Sequence, residues 1–408
     1  MASEWRSGTL NDVANIKTGK LDSNHATVGG QYPFFTCAPE PLQIGSYAFD
    51  DDAIILAGNN ANGIFHLNRY TGKFNAYQRT YVLTAKNPTQ VDLDYLFYTL
   101  TTLTRRLEEF SQGTATKFLT KTILTSLPIA LPSLTEQRAI GMLLRCLDNG
   151  IRSRLTQNEC LESVASAIFK SWFVDFDPVR AKAEEREPEG MDAATAALFP
   201  DELEDGPSGR VPKGWKMSPI TVLANIVYGA PFASNSFSSS RIGVPLVRIR
   251  DLKTMQPTVF TNEVHPKGYL VSPGDVVIGM DGEFRAYYWL GEPSWLNQRI
   301  CAFIPKVPVG RVFVREALIP LLDAVERGQV GTTVIHIGKA DIDRFNVLLP
   351  SEPVLSVFNG LAENVLNQVI ANTATARTLS ELRDTLLPRL ISGKLRVPEA
   401  EKLMEAVL

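Results

Sequence analysis

The turn Gly58-Asn59-Asn60-Ala61-Asn62-Gly63 gathers three carboxamides, and Arg69, Lys73 and Arg79 follow closely. An Asn side chain presents a donor and an acceptor in the plane that matches the edge of adenine, while Arg and Lys suit guanine or a phosphate. These residues suit non-covalent reading of a nucleic acid, and an ordinary Asn-Gly turn ringed by surface charge explains them equally well. A second set lies further along. Arg241, Arg248, Arg250 and Lys253 follow no helical period, and alternation along a strand is expected to put Arg248 and Arg250 on one face. Beyond them, the acids of Asp281-Gly282-Glu283-Phe284-Arg285 suit cytosine amino groups and Arg285 suits guanine, with solvated charge an equal alternative for any single residue. Lys117 and Lys121 are candidate phosphate contacts, whereas Arg79 and Arg299 occupy matching positions in two similar segments and so read as scaffold.

Covalent chemistry finds no comparable support. There is no Asn-Pro-Pro-aromatic motif of an amino-methyltransferase, since Asn87-Pro88-Thr89-Gln90 is a plain loop. Pro200-Asp201 lacks a Glu-x-Lys partner for a nuclease site, and no GxxxxGK[ST] phosphate loop is present. His25, His66, His265 and His336 have no metal-ligand spacing, and Cys37, Cys146, Cys160 and Cys301 form no CxxC. The expectation is a protein without catalytic residues, cofactor or metal.

The elements that position the candidates are written twice. Residues 5 to 173 recur in degenerate form about 210 to 220 positions further on, too long a period for a solenoid. Trp5 returns as Trp215, Ala14-Asn15-Ile16 with Gly19 as Ala224-Asn225-Ile226 with Gly229, and Gln78-Arg79 as Gln298-Arg299. Lys86 matches Lys306, Gly113-Thr114 matches Gly331-Thr332, and Leu131-Pro132-Ser133 matches Leu349-Pro350-Ser351. Each copy opens with short apolar runs such as Ala53 to Leu56, Tyr81 to Leu83 and Leu127 to Leu131, or Asp275 to Ile278 and Phe345 to Leu349. Gly, Asn, Asp and Pro punctuate them, as in a mixed domain dominated by short strands, with helices expected over 92–110 and 314–328.

After Pro132 the period becomes helical. Ile140, Leu144, Leu147, Ile151, Arg154, Asn158, Leu161, Ala165, Ile168 and Trp172 alternate in steps of four and three. Phe358, Ala362, Val365, Val369, Asn372, Ala376, Leu379, Arg383, Leu386 and Leu390 repeat that seam. Thr135, Glu136 and Gln137 suit the first turn of the earlier helix. Polar seam residues read as register devices, and small ones such as Ala165, Ala362 and Ala376 allow close approach. Two equivalent helices in one chain are natural partners, which predicts an antiparallel pairing. The fold class expected is α+β: two mixed α/β domains in pseudo-twofold repeat joined by two long antiparallel coiled-coil helices.

The net charge of −3 hides an uneven distribution. Glu184, Glu185, Glu187, Glu189, Asp192, Asp201, Glu202, Glu204 and Asp205 face only Lys182 and Arg186 over residues 181–209, so the remainder is net positive. With Pro and Gly interspersed, this segment reads as a solvated connector. No apolar run reaches 18 residues, and Met1-Ala2-Ser3-Glu4 has no signal-peptide character, so no membrane span and a cytoplasmic location are expected.

The run from Gly113 to Gln137 (GTATKFLTKTILTSLPIALPSLTEQ), leading straight into a long helix, resembles the end of a target recognition domain in the specificity (S) subunits of Type I restriction-modification enzymes. Trp5, Leu10 to Ile16 and Gly19 resemble the start of such a domain, as do Trp215 and Ile220, and the paired motifs cover nearly the whole chain. The second copy departs from the pattern at 350–354, where a Pro-Ser-Glu-Pro-Val run replaces the Leu-Thr-Glu-Gln helix start, and at 333–337. The resemblance implies target recognition domain 1 at 1–132, spacer helix 1 at 133–178, an acidic linker at 179–211, target recognition domain 2 at 212–350, spacer helix 2 at 351–396 and a tail at 397–408. It implies that each domain reads one half of a bipartite, asymmetric site in double-stranded DNA and that the helices fix the separation. It further implies docking of two methyltransferase (M) subunits carrying S-adenosylmethionine, and recruitment of restriction (R) subunits that use ATP and Mg. The alternatives are a coiled-coil adaptor without sequence-specific DNA binding, and a fragment of a fused enzyme, which the missing motifs argue against.

Overall fold

The computed structural model describes residues 5–60, 64–110, 117–206, 209–328 and 336–407. It divides into two compact units, Met1–Arg152 with Arg377–Leu408, and Ser153–Ala376. The division falls inside the two long helices, Leu134–Phe173 and Glu352–Ile391, so each unit holds one mixed head and a part of both helices.

In the first unit the head is a six-stranded sheet in the order 14–18, 80–85, 49–57, 67–76, 32–35, 42–44. All pairings are antiparallel except that of Tyr32–Phe35 with Leu67–Ala76. Strand Phe49–Ala57 is central and covered on both faces, which is why its second half is uninterruptedly apolar. Ile54 and Leu56 enter one core cluster with Leu10, Leu83 and Leu96, while Ala53 and Ile55 enter another with Phe74 and Val82. The helix expected over 92–110 is Leu93–Phe110. A short ladder between Arg6–Thr9 and Pro128–Leu131 closes the head where it meets the long helix.

The second unit repeats this plan with shorter strands. A four-stranded sheet in the order 224–228, 300–305, 276–279, 286–288 carries the core of Val276, Ile278, Cys301 and Phe303 under the helix Arg311–Gly328. Val244–Val247 lies parallel to Ser294–Leu296, as Tyr32–Phe35 does to the end of Leu67–Ala76. The duplication extends to single hydrogen bonds: the amide of Lys86 donates to Val13 O at 2.9 Å and that of Lys306 to Leu223 O at 2.8 Å.

The first long helix begins with a first-turn amide satisfied by a side chain. Ser133 Oγ accepts from the amide of Glu136 at 3.2 Å. Gln137, almost fully buried, accepts from the amide of Asp92 at 2.9 Å and donates to the carbonyls of Gln90 and Pro132, each at 3.0 Å. The equivalent position in the second copy is Leu355, buried in an apolar cluster, so one start is tied by a polar fork and the other by packing.

The seam expected from the sequence is buried or half-buried at every position in both helices. Within the first unit Ile140, Leu144, Leu147 and Ile151 pack with Leu379, Leu386 and Leu390, and Arg383 donates to Asp148 at 2.7 Å. Within the second unit Phe169 packs edge-on and Trp172 at a tilt against Phe358, and Asn158 meets Asn372. In each unit the partner number falls as the other rises, so the pairing is antiparallel. Ion pairs fasten each head helix to the long helix beside it, with reversed polarity. Asp94 on the first head helix meets Arg145 at 2.6 Å, whereas Arg311 on the second meets Glu363 at 2.6 Å.

The acidic segment departs from expectation. Its nine carboxylates are exposed, but the chain carrying them forms helices at Asp177–Ala183 and Ala193–Ala197 and a strand at Leu203–Gly206 paired with Gly209–Pro212. Val179 and Phe199 join the core of the second unit, Phe199 edge-on to Trp172 at 5.1 Å. Three apolar anchors among many charges, Val179, Ala181 and Phe199, suffice to order a segment whose average composition reads as linker.

Candidate nucleic-acid interface

Both heads contain the same backbone crossing. The amide of Gly19 donates to Thr80 O at 3.2 Å and that of Gly229 to Ile300 O at 2.9 Å. A Cβ on Gly19 would stand 1.9 Å from Ala76 O, and one on Gly229 would stand 2.0 Å from Asn297 O, so only glycine permits the approach. Just after each crossing the amides of Gln78 and Gln298 donate to Leu21 O and Ala230 O, both at 2.9 Å.

Two further segments converge there in each copy. The carbonyl of Arg79 accepts from the amide of Gly58, and that of Arg299 from the amide of Met280, both at 2.8 Å. Leu119 then donates to Gly58 O and Ile337 to Met280 O. Asn59 consequently pairs with Phe118, and Asp281 forms an isolated antiparallel bridge with His336. The invariant part of the arrangement is thus main chain, and the side chains it presents differ between copies: Asn59 and Arg79 in one, Asp281, Arg299 and His336 in the other.

Among the sequence candidates, several are committed to neighbours. Arg69 is 15% exposed and spans Asp52, at 2.5 and 2.8 Å, and Asp94, at 3.0 Å. That pairing holds Asp52 below the usual carboxylate range, its hydrogen bond from Arg69 being the main cause. Arg285 is held by Glu326 at 2.7 Å and Glu283 at 3.1 Å, which raises its already high pKa. Arg69 is largely committed to these carboxylates, and Arg285, 43% exposed, is shared between Glu326 and Glu283, so both read first as scaffold cations. Arg248 and Arg250 do not alternate along a strand: the strand ends at Val247 and a 3-10 turn, Ile249–Asp251, follows. Arg248 folds onto Asp251 at 3.2 Å and Thr258 at 2.6 Å, while Arg250 is exposed at the turn. The cause is Asp251, which captures the amide of Arg248 at 3.0 Å and forces the turn.

The exposed candidates are Lys73, whose ammonium lies 4.7 Å from the Tyr47 ring, Lys121, Arg241, Arg250 and Lys253. Asn59 is half-buried with its side-chain oxygen lacking a protein partner. Asn62 lies outside the described residues, as do the side chains of Asn60 and Lys117. His336 is a residue that spacing along the sequence did not bring forward. Its Nδ1 is 2.5 Å from Asp281 Oδ1 and 3.3 Å from an Arg299 nitrogen, beside a surface cavity lined also by Tyr228, Gly229 and Lys339. The signal for it was the replacement of residues 115–119 by a different run at 333–337 in an otherwise matching position.

No group of three His, Cys, Asp or Glu able to hold a metal occurs among the described residues, and no described helix is long and apolar enough to cross a membrane. The arrangement offers hydrogen bonds and charge for binding.

Residues 2–163 match the sequence model of a family described as the Type I restriction modification DNA specificity domain. The chain is 42% identical over 138 residues to the Type I restriction enzyme EcoDI specificity subunit of Escherichia coli, a match spanning 34% of this chain and 30% of that protein. It is 27% identical over 355 residues to the MjaIX specificity subunit of Methanocaldococcus jannaschii, covering 78% of this chain and 76% of that one. The fold is similar to the crystal structure of a Type-I restriction-modification system S subunit from M. genitalium, with a TM-score of 0.62 at 17% identity, over 95% of this chain and 96% of that one.

Proposed function

We propose that this chain, which belongs to the family of Type I restriction-modification DNA specificity subunits, reads a bipartite and asymmetric DNA site, one half with each head. The observation that carries this reading is the repeated main-chain crossing at Gly19 and Gly229, a shared scaffold that carries different side chains in the two heads. A symmetric reader would need identical side chains. Asn59 against Asp281 makes the halves chemically distinct.

The two helices of 40 residues each, about 60 Å at 1.5 Å per residue, are suited to setting the spacer between the half-sites. Partner subunits supply the chemistry: two M subunits bringing S-adenosylmethionine to methylate adenine, and R subunits bringing ATP and Mg, the assembly working in the cytoplasm on double-stranded DNA. This chain supplies recognition and docking. Its own contacts are proposed to come from Asn59, Lys73, Lys121, Arg241, Arg250 and Lys253, with Arg69, Arg248 and Arg285 holding the scaffold.

Selection of bound duplexes from a randomised library, using the chain in complex with its M subunits, tests this. Two short defined tracts separated by a fixed number of undefined base pairs are expected. Recovery of duplexes without sequence preference and with little salt dependence would instead indicate an adaptor.

A further inference from the structure

The structure assigns a base-reading role to His336 and a positioning role to Asp281, an inference that rests on the DNA-reading function above. The two residues face each other across the bridge that, in the first head, joins Asn59 to Phe118. A separation of 2.5 Å between Nδ1 and a carboxylate oxygen means that one proton lies between them, because two lone pairs at that distance repel, and we place it on Nδ1 with Asp281 as the acceptor. Arg299 lies 3.7 Å from the same carboxylate and 3.3 Å from the same nitrogen, so the three side chains form one cluster. With Nδ1 occupied, Nε2 is the ring atom left to meet a ligand.

In this tautomer a neutral imidazole offers Nε2 as an acceptor, which matches an exocyclic amino group, N6 of adenine or N4 of cytosine, in the major groove. Asp281 then acts through the ring and does not itself touch the base. It lies in the less exposed position of the two, with 30% of its side chain accessible against 42% for His336. Phe118 occupies the matching place in the first head and has no such acceptor, so the inference concerns one half-site only.

The test is the same duplex selection with complexes containing His336→Phe, His336→Gln, Asp281→Ala or Asp281→Asn. His336→Phe, which installs the first head's residue, is expected to lower discrimination at a single base pair of one tract by about ten- to a hundredfold, leaving the other tract and the spacer unchanged. Asp281→Ala is expected to relax the same base pair, and Asp281→Asn, whose amide oxygen still accepts from Nδ1, to restore it. His336→Gln keeps an acceptor on a flexible stem and guards against a folding failure of the Phe variant. Unchanged discrimination at every position in both His336 variants, or a uniform loss of affinity on all duplexes, would overturn the base-reading role. Failure of the unsubstituted complex to select any tract would overturn the DNA-reading function itself, a distinguishable result.

Discussion

Asn158 and Asn372 sit in the apolar seam of the second unit, each 7% exposed, and their bonds form a closed set. Asn372 Nδ2 donates to Asn158 Oδ1 at 3.0 Å, and Asn158 Nδ2 donates to Thr373 Oγ1 at 2.9 Å and Val369 O at 3.3 Å. Gln368 Nε2 completes it by donating to Asn372 Oδ1 at 3.0 Å. Replacing Asn372 by Leu strips the donor from Asn158 Oδ1, which then costs about 1–3 kcal/mol as a buried orphan. Burial of the new leucine offsets part of this, since a fully buried Leu is worth about 1.5–3 kcal/mol, so a net loss near 1 kcal/mol is expected. The double variant Asn158→Leu/Asn372→Leu leaves neither amide unpaired and should be as stable as the parent or more so. Calorimetry of the full chain reads this out, at about 2–4 °C per kcal/mol for a unit of this size. A double variant whose loss is the sum of two single losses would refute the reasoning, because the pair would then not be a unit. The double variant should also widen the spacer preference. A one-heptad slip would face Asn158 with Val365, which the parent resists and a leucine tolerates.

Other expectations follow from the same geometry. Glu363→Gln should lower the melting temperature by several degrees, losing about 1–2 kcal/mol, because Arg311 keeps only Asn367 at 2.9 Å as an undamaged partner; an unchanged calorimetric trace would show the ion pair idle. Gly229→Ala should cost at least about 1–3 kcal/mol by driving a methyl into Asn297 O, and should abolish selection of one tract, whereas normal folding and selection would disprove the close crossing. Arg250→Ala should lose about 1–3 kcal/mol of DNA binding with relaxed preference in one tract; equal weakening on random duplexes would make it a phosphate contact. Arg285→Ala should leave the selected sequence intact and cost less than about 1 kcal/mol of stability, since its carboxylate partners are half exposed; a changed tract would return it to the interface.

Periodicity made the helices legible. An a/d seam repeats every seven residues whatever surrounds it, so Ile140 to Trp172 and Phe358 to Leu390 announced both long helices and their partnership. Short strands such as Phe49–Ala57 were visible through their apolar halves, and the duplicated Gly19 and Gly229 marked a crossing that only a missing side chain allows. Charge was legible only as composition. Whether an arginine is free depends on acids distant in sequence, as Asp52 and Asp94 are from Arg69 or Glu326 from Arg285, and no local pattern reveals such partners. Asp251 turning the chain at Arg248, and Phe199 anchoring an acidic segment, are single-residue effects that windowed averages smooth away. His336 was hidden because its partner Asp281 lies on another strand segment and the pairing exists only through the fold.

The central claim is tested most directly by mapping adenine methylation across a genome by single-molecule sequencing, with this chain co-expressed beside a methyltransferase subunit encoded next to it and, in parallel, with that subunit alone. A split, asymmetric methylated motif that appears only when the chain is present is the predicted result. A soluble complex that adds no motif, or a motif already present with the methyltransferase subunit alone, would contradict the account.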